Sequence, residues 1–302
     1  MLLPRDDDGR PDWGAFARNA QFLMRVGIGG ICVNGATGEY AGASADERRE
    51  AVRLARAIAG EPRLVLSGIG AARWTEVLDL AHDAENAGAD ALLLPPPHFF
   101  NYAPGDLEEL YRRTVPELRV PALIYNLPAF TGSLDAALAT RLICEVEGIA
   151  GVKDSSGELG LLEALTLADG LSAARFVGHD GVLIEALNRG LCDGIISGVA
   201  GVVPELTMAL WQCAEQSESG LFADLGTRLT TLLRRLDEFP APWGLKFIAE
   251  LRGLGPAGFA LPLSAERRRQ ADAFQSWFSS WWEAGRETIA QALAAEVSLR
   301  LD

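Results

Sequence analysis

Short apolar runs alternate along this chain with amphipathic segments of helical length. The runs are GIGGICVNG from residue 27, RLVLSGIG from 63, ALLLPPP from 91, PALIYNLP from 121, GIAGVKDS from 148, ARFVGHD from 174 and GIISGVAG from 194. Their starts lie 36, 28, 30, 27, 26 and 20 residues apart, close to the length of a strand, a helix and two loops. Runs that are apolar on both faces suit parallel strands covered by helices or packed inside a barrel. Between them, SADERREAVRLARAIAG predicts a helix that opens on Ser44 and Glu47 in capping-box spacing and closes at Gly60. TEVLDLAHDAENAG and GDLEELYRRTVPEL repeat the helical spacing. Seven strand–helix units, with an eighth strand at or before the N-terminus, predict an α/β fold: a (β/α)8 TIM barrel over residues 1–216. A doubly wound open sheet is the competitor, but no Gly-x-Gly-x-x-Gly stands in a first strand–helix turn. From about residue 217 the pattern is helical only, so residues 217–302 read as a C-terminal helical extension. There Trp277, Trp281 and Trp282, at i, i+4 and i+5, predict a buried stripe.

Composition narrows the function classes. With 49% hydrophobic and 23% charged residues in 302, the chain has material for a real core and is not of disordered type. A net charge of -14 repels phosphate backbones and anionic lipid, so neither nucleic acid nor a membrane is an expected partner. The start, MLLPRDDDGRPDW, has no signal-peptide pattern, and no run reaches the roughly 18 apolar residues of a membrane span. Cys32, Cys144, Cys192 and Cys213 are widely spaced and read as reduced core residues of a cytoplasmic protein. His82, His98 and His179 are scattered, without ligand-like spacing, so no metal is expected.

Candidate chemistry begins with lysine usage. Of 27 basic residues only Lys153 and Lys246 are lysines. Arginine cannot serve as a neutral amine nucleophile, so a lysine inside the apolar run GIAGVKDSSG is conspicuous. A buried ion pair of Lys153 with Asp154 or another carboxylate is the alternative. Lys246, in the helical WGLKFIAEL, reads as a packing residue or a surface pair. Tyr125 closes the run PALIYNLP, where barrel strands deliver residues to the active face. Lys153 lies in the next run, and a phenol beside an amine can pass protons during carbinolamine formation and dehydration. In NGATGE, the backbone amides of Ala36, Thr37 and Gly38 and the Thr37 hydroxyl are placed to donate to an anion, although a tight turn would look the same.

GATGE, YNLP followed by TG, and GVKDSSG, in that order, resemble the dihydrodipicolinate synthase/N-acetylneuraminate lyase family of class I aldolases. GHD at 178–180 and GIISGVAG at 194–201 extend the resemblance over nearly the whole chain. It implies a (β/α)8 barrel with a C-terminal helical region, assembled as a homotetramer of tight dimers. Lys153 would be the Schiff-base lysine attacking pyruvate or a larger 2-oxo acid. Tyr125 would be the proton shuttle, and the loop at Ala36, Thr37 and Gly38 would hold the carboxylate. Main-chain groups near Ile196 would line the floor, and Gly178 and Asp180 would face the second substrate, an aldehyde or sugar acid. A polar contact from His179 would also fit there. No metal or organic cofactor is implied.

The departures are informative. Ala36 stands where synthases carry a second hydroxyl residue, and Phe100 where they carry a tyrosine reaching in from the neighbouring subunit. Phe130 replaces the arginine that clamps the aldehyde substrate's carboxylate, which argues against 4-hydroxy-tetrahydrodipicolinate synthase activity. A less polar, aromatic or deoxy sugar-acid substrate is the expectation. A hydro-lyase using the same imine chemistry on a 2-keto-3-deoxy sugar acid, and a non-catalytic 2-oxo-acid sensor, are the other function classes. MLLPRDDDG resembles the end of the family's first strand with several usual preceding residues missing.

Overall fold

The computed structural model describes residues 1–168, 170–216 and 219–299. The chain divides into two compact units, Met1 with Gly29–Ser197, and Leu2–Ile28 with Gly198 onward. The sequence division at 216/217 is therefore not where these units part, and α1 (Trp13–Val26) groups with the later helices.

In the first unit every predicted apolar run forms a strand. The elements are β1 (Gly30–Val33), α2 (Ala45–Ala59), β2 (Leu64–Gly68), α3 (Trp74–Asn86), β3 (Ala91–Leu94), α4 (Pro104–Thr114), β4 (Ala122–Asn126), α5 (Ala136–Glu145), β5 (Ile149–Asp154), α6 (Gly160–Leu167), β6 (Ala174–Val177), α7 (Leu183–Asn188) and β7 (Gly194–Ile195). All seven strands are parallel and pair in chain order, each with the next. A doubly wound sheet reverses its order partway; this one does not. With right-handed crossovers and every strand added at one edge, all helices fall on one face, and the other face must cover itself by curling. It does so: Leu66, Leu93, Leu123, Tyr125 and Leu127 form one cluster that also takes in Cys32 from β1 and Phe176 and Ile196 from the far edge. No eighth strand occurs among the described residues.

Local chemistry explains the helix limits. The Ser44 hydroxyl accepts from the Glu47 amide at 3.2 Å and the Glu47 carboxylate accepts from the Ser44 amide at 2.9 Å, so the predicted capping box forms. At the other end Gly60 takes φ 62°, and its amide donates to Arg56 O. Arg56 then ties α2 to the sheet through Asp90, whose carboxylate also accepts from the Val65 amide at 2.7 Å.

The second unit is helical: α1, α8 (Pro204–Glu215), α9 (Ser219–Leu236), α10 (Trp243–Leu251) and α11 (Ala265–Leu299). Phe274, Phe278 and Trp281 form the buried stripe of α11, whereas Trp277 and Trp282 are only half-buried. Arg235 and Arg252 cover those two rings, at 5.1 and 4.7 Å from their centroids. Of the two readings of Lys246, packing is the one that holds. It is buried, and its ammonium donates to Gly258 O at 2.5 Å. None of the four cysteines is in a disulfide, but only Cys213 is buried; Cys144 is exposed because it falls on the outer side of α5, past the buried Leu142 and Ile143.

Candidate active site

β5 carries the lysine, and an irregularity in that strand aims it. Ala122 pairs with Ile149, but the next residue, Leu123, pairs with Gly151, so Ala150 is skipped as a bulge. Side chains alternate between faces along a strand, and a one-residue slip exchanges the faces. Beyond the bulge Gly151 and Lys153 therefore share the inner face with Leu123 and Tyr125. Gly151 is required there: its φ is 152°, and a Cβ would lie 2.0 Å from Ala174 O.

Lys153 pairs in register with Tyr125, and its Nζ lies 4.1 Å from the centre of that ring. The two residues are 7% and 2% exposed. No ion pair engages the amine among the described residues. Burial, the largest influence, works to lower the Lys153 pKa. The charge interactions with Tyr125 and Cys32, a hydrogen bond to Tyr125 and the Asp180 carboxylate together outweigh it and hold the ammonium above the ordinary lysine range.

Asp154 is not its partner. One residue on, it faces the opposite side of the sheet and accepts from Asn126 Nδ2 at 2.9 Å and the Ser156 amide at 3.0 Å. Asn126 in turn accepts from the Leu134 amide at 3.2 Å, so the pair locks the ends of β4 and β5 to the loop that follows β4. Burial raises the Asp154 pKa, against these hydrogen bonds.

Gly178, at the end of β6, is fitted to the lysine. A Cβ there would lie 2.1 Å from Ser155 Oγ and 2.9 Å from Lys153 Cε. Its amide donates to Asp154 O at 2.7 Å.

The glycine loop after β1 makes two short helical turns, Ala36–Gly38 and Tyr40–Gly42, joined by Glu39 in a left-handed conformation. The amides of Ala36 and Thr37 head the first turn and have no acceptor within it. Gly38 differs from expectation: its amide donates to Gly35 O at 3.0 Å because the turn closes on itself, so it is not free for an anion. Gly35 borders the phenol, for a Cβ on it would be 4.0 Å from the Tyr125 hydroxyl. The structure thus brings Lys153, Tyr125, Gly178 and the Ala36–Thr37 turn to one end of the sheet.

Ile196 packs against the inner cluster, but its amide is used, donating to Val177 O at 2.9 Å; only the carbonyl side remains for a floor. Asp180 is close enough for its charge to act on Lys153. His179 is exposed, and its Nδ1 accepts from the Gly181 amide at 3.1 Å, the behaviour of a loop histidine. Phe100 and Phe130 lie on loops pinned together by a bridge between His98 and Thr131, and are 62% and 53% exposed. The bulge glycine, Gly151, and the brace of Asn126 with Asp154 were missed in the sequence. An isolated glycine within a strand run is the one signal that pointed to the bulge.

Among the described residues no group of three or more His, Cys, Asp or Glu could hold a metal ion. No described helix is long and apolar enough to cross a membrane.

A sequence model described as the dihydrodipicolinate synthetase family matches residues 1–278. The chain is 29% identical over 268 residues to a 4-hydroxy-tetrahydrodipicolinate synthase of Methanosarcina acetivorans, covering 87% of this chain and 90% of that one. It is 28% identical over 278 residues to a probable 2-dehydro-3-deoxy-D-pentonate aldolase of Escherichia coli K12, covering 87% and 89%. Among solved structures, the dihydrodipicolinate synthase of Acinetobacter baumannii in complex with pyruvate superimposes with a TM-score of 0.83 at 26% identity over 91% of this chain and 96% of that one. The Aquifex aeolicus dihydrodipicolinate synthase gives 0.86 at 22% identity over 93% and 96%, a likeness of fold.

Proposed function

The chain belongs to the dihydrodipicolinate synthetase family, and from that membership we propose that it is a class I aldolase of the lyase class acting on pyruvate or a related 2-oxo acid. The observation that carries this reading is a buried amine that makes no ion pair among the described residues, stacked on the ring of a phenol in register with it. We read the fold as the (β/α)8 barrel of the family.

In this reading the oxo-acid carboxylate accepts from the Ala36 and Thr37 amides and the Thr37 hydroxyl. Lys153 gives up a proton, attacks the ketone carbon, and the carbinolamine loses water as Tyr125 supplies a proton to the departing hydroxyl. The iminium withdraws electrons, so a C3 proton can leave to form an enamine, which adds to an aldehyde carbon. Cleavage is the reverse. The chemistry calls for no metal or organic cofactor, and we place it in a cytoplasmic homotetramer.

The second substrate is proposed to be an uncharged aldehyde. The loops that follow β1 to β7 carry Glu39, Asp135, Glu158 and Asp180 but only one arginine, Arg73, at the exposed start of α3. Phe130 stands in the loop where a guanidinium would clamp a second carboxylate. The test is incubation with pyruvate and borohydride, which is expected to add the reduced pyruvyl mass to Lys153; pyruvate binding without labelling would sink the reading. Pyruvate release from a panel of aldol adducts should then be faster for uncharged than for carboxylated aldehydes.

Gly178→Ala is a sharper check on geometry. A methyl at that point displaces the Lys153 side chain, and a misplacement near 1 Å is expected to slow adduct formation about a hundredfold. Adding Ser155→Gly removes the nearer collision and should restore the melting temperature but not the rate. Full recovery of the rate would show that the contact with Lys153 is of no consequence.

A further inference from the structure

Histidine is the ordinary side chain whose charge changes between about pH 5 and 8. The loops that follow β1 to β7 carry two, His98 and His179. His98 is half-buried, bridged to Thr131 and edge-on to the Tyr40 ring at 6.0 Å. His179 is exposed and directly follows Gly178, the residue fitted against Lys153 Cε.

Two glycines seat the His179 ring. It heads the short turn Asp180–Val182, and its Nδ1 accepts from the Gly181 amide at 3.1 Å. A Cβ on Gly181 would lie 2.9 Å from Cε1 and 3.0 Å from Nδ1 of that ring, so the cap depends on the missing methyl. Across from it is the turn after β5. A Cβ on Gly157 would be 3.7 Å from His179 Nε2 and 3.8 Å from both Cδ2 and Cε1. The ring therefore rests on that turn and joins the loops after β5 and β6, at the end of the sheet that carries Lys153.

An acceptor at Nδ1 puts the ring proton on Nε2, so the imidazole is neutral in this arrangement. A second proton takes the Nδ1 lone pair, breaks the bond to Gly181 and leaves a cation between the two loops. The titratable groups on the turns against the ring are Glu158 and Asp180, and Lys153 lies beyond Gly178. Two carboxylates without a guanidinium repel a carboxylated aldehyde, and a cation beside them offsets that repulsion.

We propose that His179 is a specificity-determining residue: neutral, it leaves the site selective for uncharged aldehydes, and protonated, it admits carboxylated ones. The role rests on the aldolase reading of Lys153 and sets the substrate class by pH.

The experiment supplies pyruvate at saturation with either 4-oxobutanoate or butanal, aldehydes of equal chain length that differ by one carboxylate. The ratio of their kcat/KM values is followed from pH 5.5 to 8.5; the pH dependence of imine formation, common to both, cancels. On acidification the ratio is expected to shift about tenfold towards 4-oxobutanoate, the worth of one hydrogen bond to a charged group. His179→Asn retains an oxygen that can accept from Gly181 but cannot gain charge. Its ratio should stay at the high-pH value throughout, with the butanal rate and melting temperature near wild type. His179→Arg should hold the raised ratio at every pH. A wild-type slope that survives in His179→Asn, or that is lost in His98→Asn instead, overturns the assignment. A flat wild-type ratio, or condensation with neither aldehyde, overturns it too, and in protein that pyruvate and borohydride still label at Lys153 the imine stands. A fall of the butanal rate together with the melting temperature in His179→Asn overturns it in favour of a structural cap. Failure of wild-type protein to label overturns the aldolase reading and this role with it.

Discussion

Lys153→Arg is expected to abolish the trapped pyruvyl adduct and to cut turnover by at least about a thousandfold, with the fold preserved. The physical case is that the substitution keeps the charge and removes only the nucleophile. A guanidinium does not deprotonate in proteins, so it cannot supply the lone pair that attacks the ketone. It can still sit over the Tyr125 ring, since arginine stacks on aromatic faces, and no ion pair is lost because Lys153 has none among the described residues. Mass spectrometry after pyruvate and borohydride reads the adduct, and circular dichroism reads the fold. Adduct retained in the variant would move the covalent chemistry to another amine. The wild-type pH dependence follows from the same site. Because its neighbours hold the Lys153 ammonium above the ordinary range, the amine is mostly protonated at neutral pH. The initial trapping rate is therefore expected to climb with pH, nearly tenfold per unit, with no plateau until the raised range is reached. A plateau near pH 7 would mean a lysine whose pKa is lowered.

The second large effect is expected at Tyr125→Phe. The change deletes one oxygen and leaves the ring that packs in the inner cluster and carries the lysine. Stability should hardly move, whereas imine formation should slow by about a hundred- to ten-thousandfold, the usual worth of a positioned acid–base group. The adduct still forms at Lys153, only late. Stopped-flow trapping with pyruvate at saturation separates this from weakened binding, because the defect belongs in the rate and not in the affinity. A variant as fast as wild type would remove the phenol from its assigned role. Together the two substitutions distinguish a missing nucleophile from a missing proton carrier.

Several features of the site could be read without coordinates because they depend on residue identity in a local pattern. Only two lysines occur, and one interrupts an apolar run; a tyrosine closes the preceding run; a glycine loop follows the first. Others could not. The alternative partner for Lys153, Asp154, is its sequence neighbour yet faces the other side of the sheet. The Gly38 amide, free in the sequence reading, is consumed by its own turn.

Sequence alone determined the strand–helix alternation, the capped limits of α2, and the residue types able to form an imine, since periodicity, capping and side-chain chemistry are properties of neighbouring residues. Tertiary structure decided which way the lysine points. That direction depends on the bulge at Ala150, on the Cβ-free approach of Gly178 to Lys153 Cε, and on the curl that brings β1 and β6 residues into one cluster. Register and curl are fixed by contacts between distant parts of the chain, and a one-residue slip in register would exchange the inner face for the outer.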